Sequence, residues 1–142
     1  MGIYNVTKHG VVTLSETLHQ ELRMMGAKVG VSVLCPGFVK TRIFESARNR
    51  PSDLGDTAPR PPGAGEMEQM GRLLLAGGLE PAVIAERVLD AIRSERFYIL
   101  PHPEFKERVR ARLEDILAER NPSPPDMSAL LSRAGRGPSE ER

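Results

Sequence analysis

Tyr4 and Lys8 lie four residues apart at the start of the chain. In a helix this spacing is about one turn, so the phenol and the ammonium project from the same face. A tyrosine titrates near pH 10 when unperturbed and is a poor base at neutral pH, unless a nearby cation favours the phenolate. Two charges about 4 Å apart interact by about 1 kcal/mol in water but by about 4 kcal/mol at an effective dielectric constant near 20. The pair therefore indicates proton-transfer chemistry, provided that it lies in a partly dry pocket.

The motif Tyr-x-x-x-Lys is not specific by itself, because an exposed Tyr and Lys one turn apart often arise by chance. The order of the segments after it is more specific. A predicted helix is followed by the β-branched run Val29-Gly30-Val31-Ser32-Val33-Leu34, which is short and apolar enough for a buried strand of a parallel sheet. The next segment is Cys35-Pro36-Gly37-Phe38-Val39-Lys40-Thr41, in which Pro36 ends the strand.

This order resembles the C-terminal half of the short-chain dehydrogenase/reductase family: a Tyr-x-x-x-Lys helix, a buried strand, a Pro-Gly turn and a Thr four residues after the Gly. The resemblance covers roughly residues 1–100. It implies an α/β fold, the C-terminal part of a Rossmann-like doubly wound parallel sheet, incomplete here, with about two strands and four helices. It also implies NAD(P)-dependent hydride transfer between alcohols and carbonyls.

The resemblance assigns roles to particular residues. Tyr4 would be the general acid/base that exchanges a proton with the substrate oxygen, and Lys8 would favour its phenolate and bond the nicotinamide ribose. Both would therefore contact the cofactor as well. The nicotinamide end of the dinucleotide would also be lined by four residues of the Pro-Gly segment, namely Pro36, Gly37, Val39 and Thr41.

Two features of the family lie upstream of its tyrosine and have no counterpart in the 142 residues. One is the Gly-rich turn after a strand that holds the pyrophosphate at a helix N-terminus; Gly63-Ala64-Gly65 follows a proline run instead. The other is the catalytic serine. We therefore expect a truncated chain, the back half of an enzyme, that is inactive in isolation. The substrate and the choice between NAD and NADP stay open.

Helical periodicity predicts a first helix over residues 4–25 that ends at Gly26. Apolar side chains recur along it at intervals of three and four residues: Val11, Leu14, Leu18, Leu22 and Met25. In the resembled family this helix pairs with its counterpart in a second subunit. The resemblance thus implies a homo-oligomer formed through residues 4–25.

The rest of the chain predicts two more helices, a strand and a charged helix. A short helix contains Met67, Met70, Leu73 and Leu74, and another begins at Glu80-Pro81, with proline in the tolerated first turn. Residues 97–100 are predicted to form a strand and residues 104–120 a charged amphipathic helix. Met67 and Met70 would line a hydrophobic substrate pocket as a hypothesis, with ordinary packing as the alternative.

Composition shifts define the predicted domain organisation. Residues 1–120 would be the C-terminal part of a dinucleotide-dependent oxidoreductase domain. Within it, the Pro- and Gly-rich residues 42–65 would form a loop, at the place where the resembled family has a mobile lid over its substrate. Residues 121–142 are poor in apolar side chains and are predicted to be a disordered tail.

The composition limits which binding partners are expected. A net charge of +1 provides no field to recruit nucleic acid or a membrane surface, so the expected partner is a small alcohol or carbonyl compound. The single cysteine, Cys35, fits a reducing cytoplasm. His9 and His19 have no second ligand at metal-binding spacing, and no metal site is expected. Two alternatives remain: a non-catalytic dimerisation or interaction module, and an unrelated helical binding module in which Tyr4 and Lys8 are incidental.

Overall fold

The computed structural model describes residues 2–55 and 63–123. Their contacts divide them between two units. The first consists of the described residues of Met1–Pro36 and Ala82–Arg108, and the second of those of Gly37–Pro81 and Val109–Arg142. The helices are α1 (Gly2–Met24), α2 (Ala64–Ala76), α3 (Pro81–Arg93) and α4 (Lys106–Leu117), and the strands are β1 (Val33–Leu34) and β2 (Tyr98–Ile99). Short 3-10 helices span Ile43–Asn49, Ser52–Leu54 and Pro103–Phe105.

Helix α1 begins at Gly2 and ends at Met24, close to the predicted residues 4–25, and Gly26 stops it as predicted. Gly26 has a φ of 65°, a conformation that costs glycine little because it lacks a Cβ. The amide of Gly26 donates to the carbonyl of Arg23 at 3.1 Å, and the amide of Ala27 donates to that of Leu22 at 2.9 Å. These two bonds form a Schellman motif, which satisfies carbonyls at the helix end.

The apolar stripe of α1 is not covered by the described residues. Val11, Leu14 and Leu18 are all exposed, and Leu22 is half-buried. An apolar stripe of this kind normally packs against a core. Here it leaves a continuous apolar surface on the first unit.

The sheet in the first unit is parallel, as predicted, but it is shorter. Val33 pairs with Tyr98 and Leu34 with Ile99, through hydrogen bonds from the amide of Val33 to the carbonyl of Phe97 (2.8 Å) and from the amide of Cys35 to that of Ile99 (3.0 Å). The predicted strand began at Val29. A strand is defined by its ladder, and β2 offers partners only to the last two residues of that run.

The buried apolar residues of helices and strands in the first unit lie on α3 and on the sheet. Ile84 and Ala91 are buried on α3, and Val33 and Ile99 are buried on the sheet. In the second unit, Leu74 of α2 is the buried apolar residue of the described part. Each unit thus has a small core.

Residues 42–65 contain more structure than a loop. The first two 3-10 helices lie in this stretch, and α2 already begins at Ala64, after Gly63 turns the chain with a φ of 79°. Residues 56–62, part of the predicted lid, lie outside the described residues, and so do residues 124–142 of the predicted tail. Within the described ranges, no helix combines the length and the apolar character needed to cross a membrane.

Candidate active site

Tyr4 and Lys8 lie one turn apart on α1 in the first unit. The Nζ atom of Lys8 is 5.3 Å from the centroid of the Tyr4 ring, a distance at which a cation is attracted to an aromatic face. The helix is regular here, and the hydroxyl of Thr7 donates a 2.8 Å hydrogen bond to the carbonyl of Tyr4. The structure therefore brings together the two side chains that were predicted to handle a proton.

The phenol of this pair is open to solvent. Tyr4 is 55% exposed and Lys8 is exposed as well. Within residues 2–55 and 63–123 the Tyr4 hydroxyl has no hydrogen-bond partner, so a substrate oxygen could reach it. Water also screens the charge of Lys8, and the pair becomes effective only when something covers it.

Gly37, Val39 and Thr41 belong to the second unit, whereas Pro36 is the last residue of its segment of the first. Val39 forms a parallel bridge with Leu79. The amide of Leu79 donates to the carbonyl of Phe38 at 3.1 Å, and the amide of Lys40 donates to the carbonyl of Leu79 at 2.9 Å. These bonds hold the backbone that leads from the Pro-Gly turn to Thr41.

A cavity of about 330 Å³ lies beside Thr41 in the second unit. Its wall has an apolar part, formed by Phe44, Leu75 and Ala76, and a polar part that contains charged side chains. The complete lining is Lys40, Thr41, Arg42, Phe44, Glu45, Arg72, Leu75 and Ala76. Met67 and Met70, which the sequence suggested for a substrate pocket, are not among these residues. The cavity is large enough for part of a small organic ligand.

The charged side chains around this cavity are paired. Arg42 and Glu45 form an ion pair of 2.5 Å, and the hydrogen bond from Arg42 holds the pKa of the Glu45 carboxyl below its usual range. Lys40 pairs with Glu80 at 2.7 Å. Because each of these cations has a carboxylate partner, the wall carries little net positive charge.

Phe44 is seated against α2. A Cβ on Gly71 would overlap the tip of the Phe44 ring, so the ring occupies the space that glycine leaves. The guanidinium of Arg72 lies 5.4 Å from the centroid of the same ring and forms an ion pair of 2.7 Å with Glu68. These contacts of Phe44 hold the first 3-10 helix of the predicted lid against α2.

A second polar cluster, absent from the sequence predictions, lies in the first unit. The hydroxyl of Tyr98 donates a 2.5 Å hydrogen bond to Glu16 of α1, and this bond raises the pKa of the Tyr98 hydroxyl. Burial raises the pKa of the Cys35 thiol, and the charge of Glu16 raises it further. The rings of His19 and Phe97 lie 5.0 Å apart. No local pattern in the sequence links Glu16 to a residue 82 positions away.

Cofactor-binding features are incomplete in the described part of the chain. β1 leads into Cys35-Pro36-Gly37 and β2 into Leu100-Pro101, and neither passes through a Gly-rich turn into a helix N-terminus. No cluster of three metal-ligating side chains occurs in these residues either.

Comparisons with known proteins agree with this arrangement of elements. The sheet and helices form the C-terminal part of a Rossmann-like doubly wound parallel sheet. A crystal structure of a short-chain dehydrogenase/reductase from Burkholderia phymatum in complex with NAD matches 89% of this chain with a TM-score of 0.77 and 43% sequence identity. A family model for short chain dehydrogenases matches residues 1–52. The chain belongs to the short-chain dehydrogenase/reductase family, and the resemblance extends beyond the 100 residues expected from the sequence.

Two curated relatives are also dehydrogenases by name. A CLA biosynthesis dehydrogenase/reductase from Lactiplantibacillus plantarum is 27% identical over 92% of this chain. A C alpha-dehydrogenase from a Sphingobium species is 30% identical over 93% of the chain. The chain spans 47% and 42% of the lengths of these two relatives, and 45% of the Burkholderia protein.

Proposed function

We propose that this chain carries the proton-transfer residues of an NAD(P)-dependent oxidoreductase that interconverts small alcohols and carbonyl compounds. The observation that carries the proposal is the Tyr4–Lys8 pair on one face of α1, with 5.3 Å between the Lys8 nitrogen and the Tyr4 ring centroid. The family of the chain and the NAD bound to its Burkholderia neighbour support the choice of cofactor.

Tyr4 would act as the general acid/base. In alcohol oxidation its phenolate oxygen accepts the proton of the substrate hydroxyl, and in carbonyl reduction its phenol returns that proton to the oxygen. The positive charge of Lys8 stabilises the phenolate between these events. The bound dinucleotide supplies the hydride acceptor or donor.

The Pro-Gly segment suits the nicotinamide end of the dinucleotide. Thr41 is exposed and lines the cavity of the second unit, so its hydroxyl is available to a carboxamide. Gly37 and Val39 would contribute backbone groups beside Pro36, and Tyr4 and Lys8 would contact the ribose. These roles fit the groups present, while the pyrophosphate cradle is not among the described residues.

We further propose that the 142-residue chain is inactive alone. Tyr4 is more than half exposed, and the Lys8 nitrogen lies 5.3 Å from the centroid of its ring. At such a distance its charge contributes less than about 1 kcal/mol in water. The described residues also provide small cores and leave the α1 stripe uncovered. A catalytic pocket would need further protein surface over Tyr4.

We also propose a cytoplasmic location for the protein, since Cys35 is the single cysteine and a reducing compartment keeps a thiol free.

A fusion tests the proposal. The N-terminal part of the Burkholderia enzyme that this chain does not match would be joined to residues 1–142, and the rate of NAD(P) reduction measured with a panel of secondary alcohols. Tyr4→Phe is expected to lower kcat at least about 100-fold. Lys8→Met should also lower it, whereas the matched control Lys28→Met should not. A folded fusion that binds NAD and keeps its rate with Tyr4→Phe would contradict the proposal.

A second function is favoured by the uncovered stripe of α1. Exposed Val11, Leu14 and Leu18 could pair the chain with a second copy or with an intact relative, as a non-catalytic dimerisation module. Co-purification with an intact relative would measure this pairing. Leu18→Glu is expected to abolish it, and Gln20→Glu, an exposed change two residues away, to leave it intact. Equal retention by both variants would count against the module.

A further inference from the structure

The Gly77-Gly78 turn lies directly against the segment that follows the Pro-Gly turn. Three backbone features join them: the parallel bridge between Val39 and Leu79, the 3.1 Å bond from the Leu79 amide to Phe38, and the 2.9 Å bond from the Lys40 amide to Leu79. All of these residues belong to the second unit. Leu79, which directly follows the turn, therefore pairs with residues 38–40 in the manner of a short parallel strand.

The approach at Gly78 leaves no room for a side chain. A Cβ at this position would lie 2.5 Å from the carbonyl oxygen of Phe38, 2.6 Å from its carbonyl carbon and 3.0 Å from the amide nitrogen of Val39. These are backbone atoms of a hydrogen-bonded segment, and they cannot rotate away as the tip of a side chain could. Any residue larger than glycine must push the two segments apart.

A side-chain contact reinforces the backbone contact. Lys40 donates to Glu80 at 2.7 Å, and both residues directly adjoin the bonded backbone. Lys40 is followed by Thr41, which lines the cavity. The orientation of Thr41 thus depends on the position of the Lys40 backbone and, through it, on the closeness of Gly78.

We propose that Gly78 is a positioning residue for the nicotinamide-binding segment Val39–Thr41, and that the Lys40–Glu80 pair holds the same segment from its other end. The inference rests on the proposed function, because it assigns Gly78 to the placement of groups that would contact the dinucleotide. It extends the site to a turn that touches neither substrate nor cofactor.

A methyl group at Gly78 has a predictable effect. To restore ordinary contact distances, the segment must move by roughly half an ångström to one ångström, and displacements of about 1 Å in a binding site reduce rates or affinities by about tenfold to 100-fold. Because Val39 and Thr41 would contact the dinucleotide and not the alcohol, the KM for the dinucleotide should rise. The KM for the alcohol should change little.

Gly78→Ala and its control Gly65→Ala test the proposal in two measurements. Gly65 lies in α2 of the same unit, and a Cβ there meets nothing within 4 Å. Hydrogen exchange at the amides of Lys40 and Leu79 is measured in the full 142-residue chain. Steady-state kinetics are measured in the fusion that contains the whole chain.

The expected result is faster exchange at both amides and a rise of about tenfold in the KM for the dinucleotide with Gly78→Ala, against no change with Gly65→Ala. Glu80→Gln should give a smaller rise in the same KM, and Glu80→Asp should restore it. Faster exchange with an unchanged KM would overturn the positioning role and leave the proposed function intact. A fall in kcat alone, from less folded enzyme, would also overturn it. A wild-type fusion that binds no dinucleotide would refute both proposals together.

Discussion

The hydroxyl of Tyr98 donates a 2.5 Å hydrogen bond to the carboxylate of Glu16 and so links β2 to α1. Tyr98 is on the strand that pairs with β1, and Glu16 lies about three turns after Tyr4 on α1. The bond therefore connects the sheet to the helix that carries the proposed proton-transfer pair.

Substitution of the two tyrosines should have different effects, on stability for Tyr98 and on catalysis for Tyr4. Tyr98→Phe removes the bond to Glu16 and is expected to lower the free energy of unfolding by about 0.5–1 kcal/mol, a modest amount because the bond is exposed. Tyr4→Phe should leave that free energy unchanged, since its hydroxyl makes no hydrogen bond within the described residues. Urea unfolding measures the first effect, and kcat of the fusion measures the second. Equal stability losses in both variants would contradict this division.

The stability supplied by Tyr98 should depend on pH at the alkaline end. Its raised pKa means that the folded state holds the proton more tightly, so the contribution is complete below about pH 10 and is lost as the pH rises through the raised value. In Tyr4→Phe, Tyr98 is the remaining tyrosine, and its ultraviolet titration should have a midpoint above 10 in the folded protein. Glu16→Gln should return the midpoint toward 10; an unchanged midpoint would exclude Glu16 as the cause.

The Cys35 thiol should react slowly at neutral pH. Burial, and then the charge of Glu16, raise its pKa, so that little thiolate is present. Alkylation by iodoacetamide, followed by mass spectrometry, reports on this residue alone because it is the single cysteine. Glu16→Gln should raise the rate by no more than about fivefold, since charge interactions in accessible settings are about 1 kcal/mol. A control change at exposed Glu21 should have no effect, and a larger response there would point to another cause.

Gly71→Ala should release the first 3-10 helix from α2. The added methyl overlaps the Phe44 ring, which must leave its seat beside Arg72. Residues 43–49 should then exchange their amide hydrogens faster, because a displaced ring no longer fixes the segment. Gly65→Ala, on the same helix with open space around it, is the control. Unchanged exchange in Gly71→Ala would mean that the Phe44 contact does not hold this segment.

Glu95→Gly should stabilise the chain. Glu95 has a φ of 52°, a left-handed conformation that strains residues with a Cβ, at the end of α3. Replacement by glycine is expected to raise the free energy of unfolding by about 1 kcal/mol. Glu86→Gly, inside α3, should lower it by a similar amount because glycine weakens helix interiors. Thermal unfolding measures the change in stability of both variants. The prediction would be wrong if both variants were stabilised or both were destabilised.

The features predicted correctly from sequence are those that depend on neighbours within about one helical turn. The Tyr4–Lys8 spacing, the glycine stop at Gly26 and the start of α3 at Pro81 all follow from helix geometry and capping. The family could also be recognised, because its motif is a short ordered series of such local features. The roles of Tyr4, Lys8 and the Pro-Gly segment remain predictions.

Other features required contacts between distant residues. The strand predicted over residues 29–34 narrows to Val33–Leu34 because its length is set by its partner β2. Tertiary structure also determined the 3-10 helices within residues 42–65, the seat of Phe44 on Gly71 and the bond between Glu16 and Tyr98. Periodicity and capping act over a few residues, so they can be read from the sequence. A strand ladder, the contact of an aromatic ring with a glycine or a hydrogen bond between distant residues forms only when the folded structure brings those residues together.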